Sequence, residues 1–519
     1  MSQRAIAGGC LQNSSMSDNR IRSIAIVGGG AAGWLAAAAL ARVLKRSYCE
    51  IRLIDLPAPD PGEISEATNP AFHRLNKLLG INERDLMRKT QATFKLGGEF
   101  RDWYRPGDRY FHTFGTFGAR LETVPFHHYL IMLRQQGDAT SIEDFSTATV
   151  AAKLGRFACP VTDQSSVLSL YSYAYHFHAG LLASYLSEYA QAHGVVRVAR
   201  ELVDVQLRGE DGFIAALQFD DGTHLNADLY IDCTGARGLL MEKALSTGFE
   251  HWAQWLPCDR AVAIPCAGAG EYPPYSQSIA RDFGWQWRTP LQHCLDCGNA
   301  YCSRFVSDDE ATGTLLAELP GRALAEPRVL RFTPGRPKKF WAGNCVTLAG
   351  GAMEPLEATR LHLVQTGITR LLTMFPDRRF NPADTDEYNR LTIAEYERIR
   401  DFLILHYAAT AREDSPLWKY CRNMELPDTL RNKIELFRSS GRVSLFDDEH
   451  FGEESWLSVF FGQNIAPQSY DPLVDVLDTE EVRAALSRMS SMIRAGVETL
   501  PTHRQFIAEH CRASPVSTP

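Results

Sequence analysis

A chain of 519 residues with 45% hydrophobic and 22% charged side chains has the balance of a soluble globular protein, and its length is enough for two or three domains. A formal net charge of −8 argues against a surface built to hold nucleic acid. Twelve cysteines with no secretory signal ahead of them argue against a disulfide framework and point to a reducing cytoplasm.

The first twenty residues are small and polar, so residues 1–20 are expected to be a disordered leader, with Met16 as an alternative start. Ser23-Ile24-Ala25-Ile26-Val27 then reads as a buried strand. It runs into Gly28-Gly29-Gly30-Ala31-Ala32-Gly33 and an alanine-rich helix. In this G-x-G-x-x-G spacing Gly28 permits a tight turn and Gly30 lets the backbone approach a pyrophosphate. Gly33 lets helix and strand pack closely. Ala31 and Ala32 open the helix, whose unpaired N–H groups suit phosphates. The next strand ends in Asp55, about 20 residues on, where a carboxylate can accept from a ribose hydroxyl. Strand, glycines, helix, strand and acid in this order predict a dinucleotide site. Residues 24–41 are uncharged and long enough for a membrane span. Their Gly and Ala content and the fingerprint inside them favour a buried strand and helix instead.

Residues 57–62 form a proline-rich loop. Thr68-Asn69-Pro70 opens a helix with Phe72, Leu75, Leu78 and Leu79 as its apolar stripe. Aromatics crowd residues 92–130, as core or as walls for a flat ligand. Residues 171–192 carry a helical pattern, and residues 196–207, 213–219 and 224–231 alternate as strands around an Asp220-Asp221-Gly222 hairpin turn. Residues 228–235 read as a second buried strand ending in glycine, residues 251–340 as mostly β, and residues 344–351 as a third strand running into glycines. Beyond Leu361 the chain is largely helical. Three strand-to-glycine elements spread from Gly28 to Gly350 indicate a nucleotide domain broken by inserts, the layout of a two-domain flavoprotein. Cys294, Cys297 and Cys302, beside His293, include a zinc-like Cys-x-x-Cys spacing, but no second pair matches and no metal is expected.

Phe283-Gly284-Trp285-Gln286-Trp287-Arg288-Thr289-Pro290 resembles the W-x-W-x-I-P signature of flavin-dependent halogenases of the tryptophan halogenase family. Gly62-Glu63, then Ser65-Glu66-Ala67-Thr68 and Pro70, resembles their G-E-A-T-x-P turn beside the flavin. Ala92-Thr93-Phe94-Lys95-Leu96-Gly97 is similar to the segment bearing their catalytic lysine, and Glu354-Pro355-Leu356-Glu357-Ala358-Thr359 to their E-P-L-E-S-T segment. The similarity continues through Tyr173-Ala174-Tyr175-His176-Phe177, Asp232-Cys233-Thr234-Gly235 and Ser455-Trp456-Leu457, covering residues 21–471 in the family's order.

The resemblance implies an α/β, Rossmann-like FAD-binding fold of the flavoprotein monooxygenase type, with β-sheet inserts and a helical C-terminal region. Residues 21–370 would form the FAD-binding domain with interleaved β-rich inserts. Residues 371–519 would form a mainly helical region covering the substrate site. FAD, used as FADH2, would be held by Gly28, Gly30, Ala31, Ala32, Gly33 and Asp55 together with Ala67, Thr68, Leu348, Gly350 and Pro355. Reduced FAD, oxygen and halide would yield hypohalous acid, which travels through an internal tunnel to Lys95. Lys95 would hydrogen-bond the acid or form a haloamine, and Glu357 would stabilise the cationic ring and help remove its proton. Trp285 and Trp287 would flank flavin and tunnel, and Thr359 and Arg360 would bind halide. Each also has a plain structural reading: a solvated strand lysine, a carboxylate at a helix start, and two core tryptophans on one strand face.

The departures from the family fall near the chemistry. Its F-x-x-P-x-x-S-x-G pattern aligns with Ala352, Pro355, Ala358 and Arg360, and only the proline is kept. Arg360 either adds charge that attracts an anion or fills the halide pocket. Thr289 replaces an isoleucine, Ser65 a glycine and His178 an aspartate. Residues 436–460 look short and charged where tryptophan-specific members carry an aromatic-rich grip. The expected substrate is therefore an indole, phenol or pyrrole, free or on a larger scaffold, rather than free tryptophan. A single complete dinucleotide fingerprint implies a separate NAD(P)H-dependent flavin reductase. The expected setting is cytoplasmic, with halide and a small aromatic as partners, neither nucleic acid nor membrane, and homodimerisation left open. The rival readings are a flavin monooxygenase and a flavin-binding protein without turnover.

Overall fold

The computed structural model describes residues 18–56, 65–268, 270, 272–447 and 449–515. Its organising layer is a six-stranded sheet in the order Trp341–Ala342, Cys345–Thr347, Leu229–Asp232, Ser23–Val27, Glu50–Asp55, Val196–Ala199. All pairings are parallel except the short outer one between Trp341–Ala342 and Cys345–Thr347. The three strand-to-glycine elements thus lie side by side: Ile26 is opposite Ile231, and Ile231 is opposite Val346. Buried on both faces, these strands are continuous apolar runs, as a covered parallel sheet requires. The Ala31–Leu44 helix buries every residue from Gly33 to Ala41, and its alanines let it lie close to the sheet. The uncharged 24–41 stretch is therefore core, and no helix among the described residues is long and apolar enough to cross a membrane.

A seven-stranded insert runs in the order Arg328–Arg331, Arg260–Cys266, Leu295–Tyr301, Gly284–Pro290, Ser276–Arg281, Gly97–Arg101, Arg109–Thr113. A small three-stranded sheet, Ser65–Ala67, Ala174–His178, Thr93–Lys95, joins the segment after the second nucleotide strand to the lysine strand. Long helices follow Thr359, including Arg360–Thr373, Pro382–Ala408, Glu453–Gly462 and Thr479–Glu498.

Several expected boundaries shift. Residues 171–192 are not one helix: Ala174–His178 is a strand, and the helix spans Ala179–Ala192. Tyr173, Tyr175 and Phe177 recur every second residue, the period of a strand, and Ala174–His178 pairs on both sides. Residues 196–207 break into strands of two different sheets, as do residues 224–231. The Thr68-Asn69-Pro70 signal acts one turn early: Asn69 Oδ1 accepts from Ala71 N at 3.1 Å, and the helix is Phe72–Leu79. Leu78 faces solvent. Asn19 and Arg20, expected within the leader, are held in place: Asn19 accepts a backbone hydrogen bond from Arg378 at 2.7 Å and Arg20 bridges Asp377. Residues 1–17, with Met16, and residues 57–64, with Gly62 and Glu63, lie outside the described residues.

Gly33 and Gly30 separate packing from ligand space. A Cβ on Gly33 would overlap the Gly28 carbonyl oxygen, whereas a Cβ on Gly30 meets nothing within 4 Å. Gly33→Ala is expected to destabilise the ligand-free protein by about 1–3 kcal/mol through overpacking. Gly30→Ala is expected to change stability by less than about 1 kcal/mol. Urea midpoints of the two variants check this, and equal losses would contradict it.

Candidate active site

The glycine turn forms a cradle. Gly28 has φ +119°, and a Cβ there would clash with the Cys233 carbonyl. Gly29 lies against the Asp55 carboxylate. Gly30 caps the Ala31–Leu44 helix with no side-chain hydrogen bond to its first N–H groups, and no acidic residue occupies the first turn. Open space at Gly30, an uncapped helix start at Ala31 and Ala32, and a carboxylate at the next strand end fit a dinucleotide pyrophosphate and ribose. Asp55 also pairs with Arg197 at 2.6 Å. The second return is fixed by buried Asp232. It accepts from Thr234 N (2.9 Å), Thr234 Oγ1 (2.6 Å), Leu240 N (2.9 Å) and Met241 N (3.0 Å). Leu348 N donates to the Asp232 carbonyl at 3.1 Å, bringing the Gly350 segment alongside. Pro355 is exposed.

The small sheet carries Lys95 inward. Ala67 is opposite His176, Thr68 N donates to Tyr175 O at 3.0 Å, and Lys95 is opposite Ala174. The Lys95 ammonium is buried and donates to the Thr68 carbonyl at 3.4 Å, its one hydrogen-bond partner among the described residues. The partly exposed Phe114 ring lies 5.4 Å away. Burial lowers the Lys95 pKa to about 8, opposed by the charge of Glu357. The lysine is thus a strand residue but not a solvated one.

Glu357 occupies a strained turn. It and Ala358 both take left-handed φ values, +63° and +55°, which non-glycine residues adopt at a cost. Its side chain is 8% exposed. Oε2 accepts from His112 Nδ1 at 2.8 Å, while Oε1 lies 3.1 Å from His406 Nε2 but outside hydrogen-bond alignment. Burial pushes the Glu357 carboxyl up, yet His112 and His406 outweigh it and hold its pKa below the usual carboxylate range. The carboxylate is ionised and accepts only. His112 therefore donates from Nδ1, and its Nε2 lies 2.9 Å from Ser455 Oγ. His406 Nδ1 lies 2.8 Å from the Tyr110 hydroxyl.

Thr359 is buried at the start of the Arg360–Thr373 helix. The Arg360 side chain is 58% exposed and its guanidinium pairs with Glu66, so it is drawn outward and neutralised rather than filling the turn. Trp285 and Trp287 share one face of the Gly284–Pro290 strand with ring centroids 6.0 Å apart. Gly298 opposite Trp287 leaves the room its ring needs. Trp287 Nε1 donates to Asp296 at 3.2 Å, and Ser65 donates to the same carboxylate. Thr289 is buried. His178 caps the Ala179–Ala192 helix by accepting from Leu181 N at 3.3 Å, a task an aspartate also performs. Cys266 and Cys297 approach to 3.8 Å, and no metal-ligand cluster is found among the described residues.

Residues 436–460 differ from the expectation. Phe437, Phe451, Trp456 and Phe460 are buried, and Phe451 stacks on Phe402 at 3.8 Å. His450 stacks on His362 at 3.6 Å, and Lys433 pairs with Glu449 at 2.8 Å in the interior. This charged-looking segment is packed onto the centre through Ser455 and His112. Sequence reasoning missed His112, His406 and Tyr110. The only local signal was the dense Tyr110-Phe111-His112-Thr113-Phe114 run, because His112 and His406 reach Glu357, and Tyr110 reaches His406, from distant segments.

The fold and site define an α/β protein with a dinucleotide-type glycine turn and a buried lysine–glutamate centre. The tryptophan halogenase family model matches residues 23–479. The chain is 31% identical to tryptophan 7-halogenase KtzQ of Kutzneria sp. (strain 744), over 95% of this chain and 99% of that one. Among solved structures it resembles BrvH, a flavin-dependent halogenase from Brevundimonas sp. BAL3. That match has TM-score 0.91 and 41% identity and covers 95% of this chain and 99% of the other. It also resembles Xcc4156, a flavin-dependent halogenase from Xanthomonas campestris, with TM-score 0.92, 40% identity and coverage of 96% and 100%. The chain belongs to the tryptophan halogenase family and is a flavin-dependent halogenase.

The lowered Lys95 pKa sets a pH expectation. Below about 8 the folded state holds the ammonium, and above it the amine. If the ammonium acts as hydrogen-bond donor, kcat falls as pH rises through about 8. A rate that climbs through the same region would assign the step to the neutral amine. The unfolded lysine binds more protons between pH 8 and 10.5, so Lys95 makes stability rise with pH across that window.

Proposed function

We propose that the protein is an FADH2-dependent halogenase of electron-rich aromatics of the indole, phenol or pyrrole type, supplied with reduced flavin by a separate NAD(P)H-dependent reductase. The observation that carries this reading is the buried pairing of functions at Lys95 and Glu357. Lys95 retains donor capacity, and Glu357 is a carboxylate kept ionised. FAD is assigned to the cradle of Gly28, Gly30, Ala31, Ala32, Gly33 and Asp55, with Ala67, Thr68, Leu348, Gly350 and Pro355 completing it. When bound and reduced, it supplies the two electrons with which oxygen and halide become hypohalous acid and water.

The residues then have distinct tasks. The Lys95 ammonium hydrogen-bonds the oxygen of hypohalous acid, making the halogen more electrophilic and the departing hydroxide easier to protonate. The aromatic carbon takes the halogen, and Glu357 stabilises the positive ring that results. Glu357 then accepts the ring proton, restoring aromaticity. His112 and His406 keep that carboxylate ionised before the step. Trp285 and Trp287 wall the passage from flavin to lysine, and the backbone at Thr359 and Arg360 is assigned to halide. Free tryptophan is not the substrate proposed. Ser455 and Phe451 contribute a hydroxyl and an apolar ring around His112, which suits a neutral aromatic group.

The test supplies FAD, a flavin reductase, NADH, bromide or chloride, and indole, and reads products by mass spectrometry. A halogen isotope doublet is expected. Gain of one oxygen instead, or no product across a broad aromatic panel while reduced flavin consumes oxygen, would contradict the reading. Lys95→Ala is expected to lower halogenation by about 100-fold or more. Glu357→Gln is expected to lower it by about 10- to 100-fold. Wild-type rates in Lys95→Ala would remove the lysine from the mechanism.

A further inference from the structure

Glu354 lies three residues before Glu357 and is only 1% exposed. Three donors converge on its carboxyl group. Trp285 Nε1 donates to Oε2 at 3.0 Å, the Tyr407 hydroxyl donates to the same oxygen, and Cys258 N donates to Oε1 at 3.3 Å. Each donor comes from a different element: the Gly284–Pro290 strand, the Pro382–Ala408 helix, and the segment before Arg260–Cys266. No Lys, Arg or His pairs with Glu354 among the described residues. A buried carboxyl without a cation is costly to keep unless its hydrogen bonds hold it.

These contacts connect two parts of the site. Trp285 packs beside Trp287 and lies 6.3 Å from Trp103, forming the aromatic wall. Tyr407 follows His406, the residue facing Glu357. We propose that Glu354 is a positioning residue: its carboxyl group fixes the Trp285 indole and, through Tyr407, the helix end that presents His406 to Glu357. It keeps the tryptophan wall in register with the proton-accepting end of the centre. In the halogenase reading above, on which this role rests, that register delivers the oxidising equivalent to Lys95 instead of to water.

The surroundings make Glu354 the group that titrates. Burial raises its pKa to about 7. The neighbouring ionisable groups are Tyr407, Cys258 and, on the Pro416–Asn423 helix, Cys421. Burial raises all three, so they stay protonated at neutral pH. The Trp285 hydrogen bond becomes charge-assisted as Glu354 ionises.

Full-length FAD-loaded protein labelled with 5-fluorotryptophan provides a readout independent of turnover, with the Trp285 signal assigned by Trp285→Phe. In the wild type that signal is expected to titrate with a midpoint near pH 7. In Glu354→Gln it is expected to be pH-independent. Glu354→Leu is expected to cut halogenated product per reduced flavin consumed by about ten-fold, with hydrogen peroxide rising in its place. Its FAD affinity is expected to change less than about two-fold, and Glu354→Gln, which keeps an acceptor for Trp285, to restore coupling. A wild-type Trp285 signal that ignores pH, or one that titrates unchanged in Glu354→Gln, overturns the role. So does a folded, FAD-loaded Glu354→Leu that keeps wild-type coupling. Should the wild type halogenate nothing, the labelled-tryptophan result still stands, so the two readings fail separately.

Discussion

Lys95 and Glu357 bring opposite charges into the interior, and most of the architecture around them answers the cost of doing so. A buried ammonium loses its hydration, and here it regains one carbonyl contact and the field of a carboxylate. The carboxylate is compensated more fully, by an imidazole on each side. That imbalance is useful. Glu357 stays ionised, while the lysine keeps a single hydrogen-bond partner among the described residues. The left-handed turn at Glu357 and Ala358 fits the same requirement, because a relaxed helix start would aim the carboxylate elsewhere.

The scaffold brings these groups together from distant stretches of chain. The parallel sheet sets the nucleotide cradle, the small sheet Ser65–Ala67, Ala174–His178, Thr93–Lys95 carries the lysine, and the insert carries His112. The Pro382–Ala408 helix closes the set from the opposite side, with His406 toward Glu357 and Tyr407 toward Glu354. Residues 449–456 seal it through Phe451 on Phe402 and Ser455 on His112. A chain that excludes water around reactive groups in this way strengthens every electrostatic contact within.

The parts legible in sequence were those encoded locally. Strand, glycine turn, helix and Asp55 fall within a few dozen residues, so spacing alone marked these elements and their order. Lys95 and Glu357 stood out through short motifs in order. The residues that tune them were not legible, since His112 meets Glu357 across 245 positions and no local period marks such a contact. The strand Ala174–His178 was hidden because it passes directly into Ala179–Ala192 with no loop between them, and the helical period downstream masked the two-residue period upstream. Residues 436–460 misled by composition, since the charged side chains draw attention from Phe437, Phe451, Trp456 and Phe460, which are buried. Arg360 shows the reverse: its identity suggested charge or bulk at its turn, and in the fold its half-exposed guanidinium pairs with Glu66.

The central claim is that the oxidising equivalent is used inside, at Lys95 and Glu357. Turnover in the presence of a sulfide-bearing polymer, which consumes free hypohalous acid but is too large to enter the protein, tests it most directly. Undiminished halogenated product, abolished by Lys95→Ala with or without the polymer, is the predicted result. Product that falls in proportion to the polymer added, and that survives in Lys95→Ala, would mean that halogenation happens in bulk solution and would contradict the account.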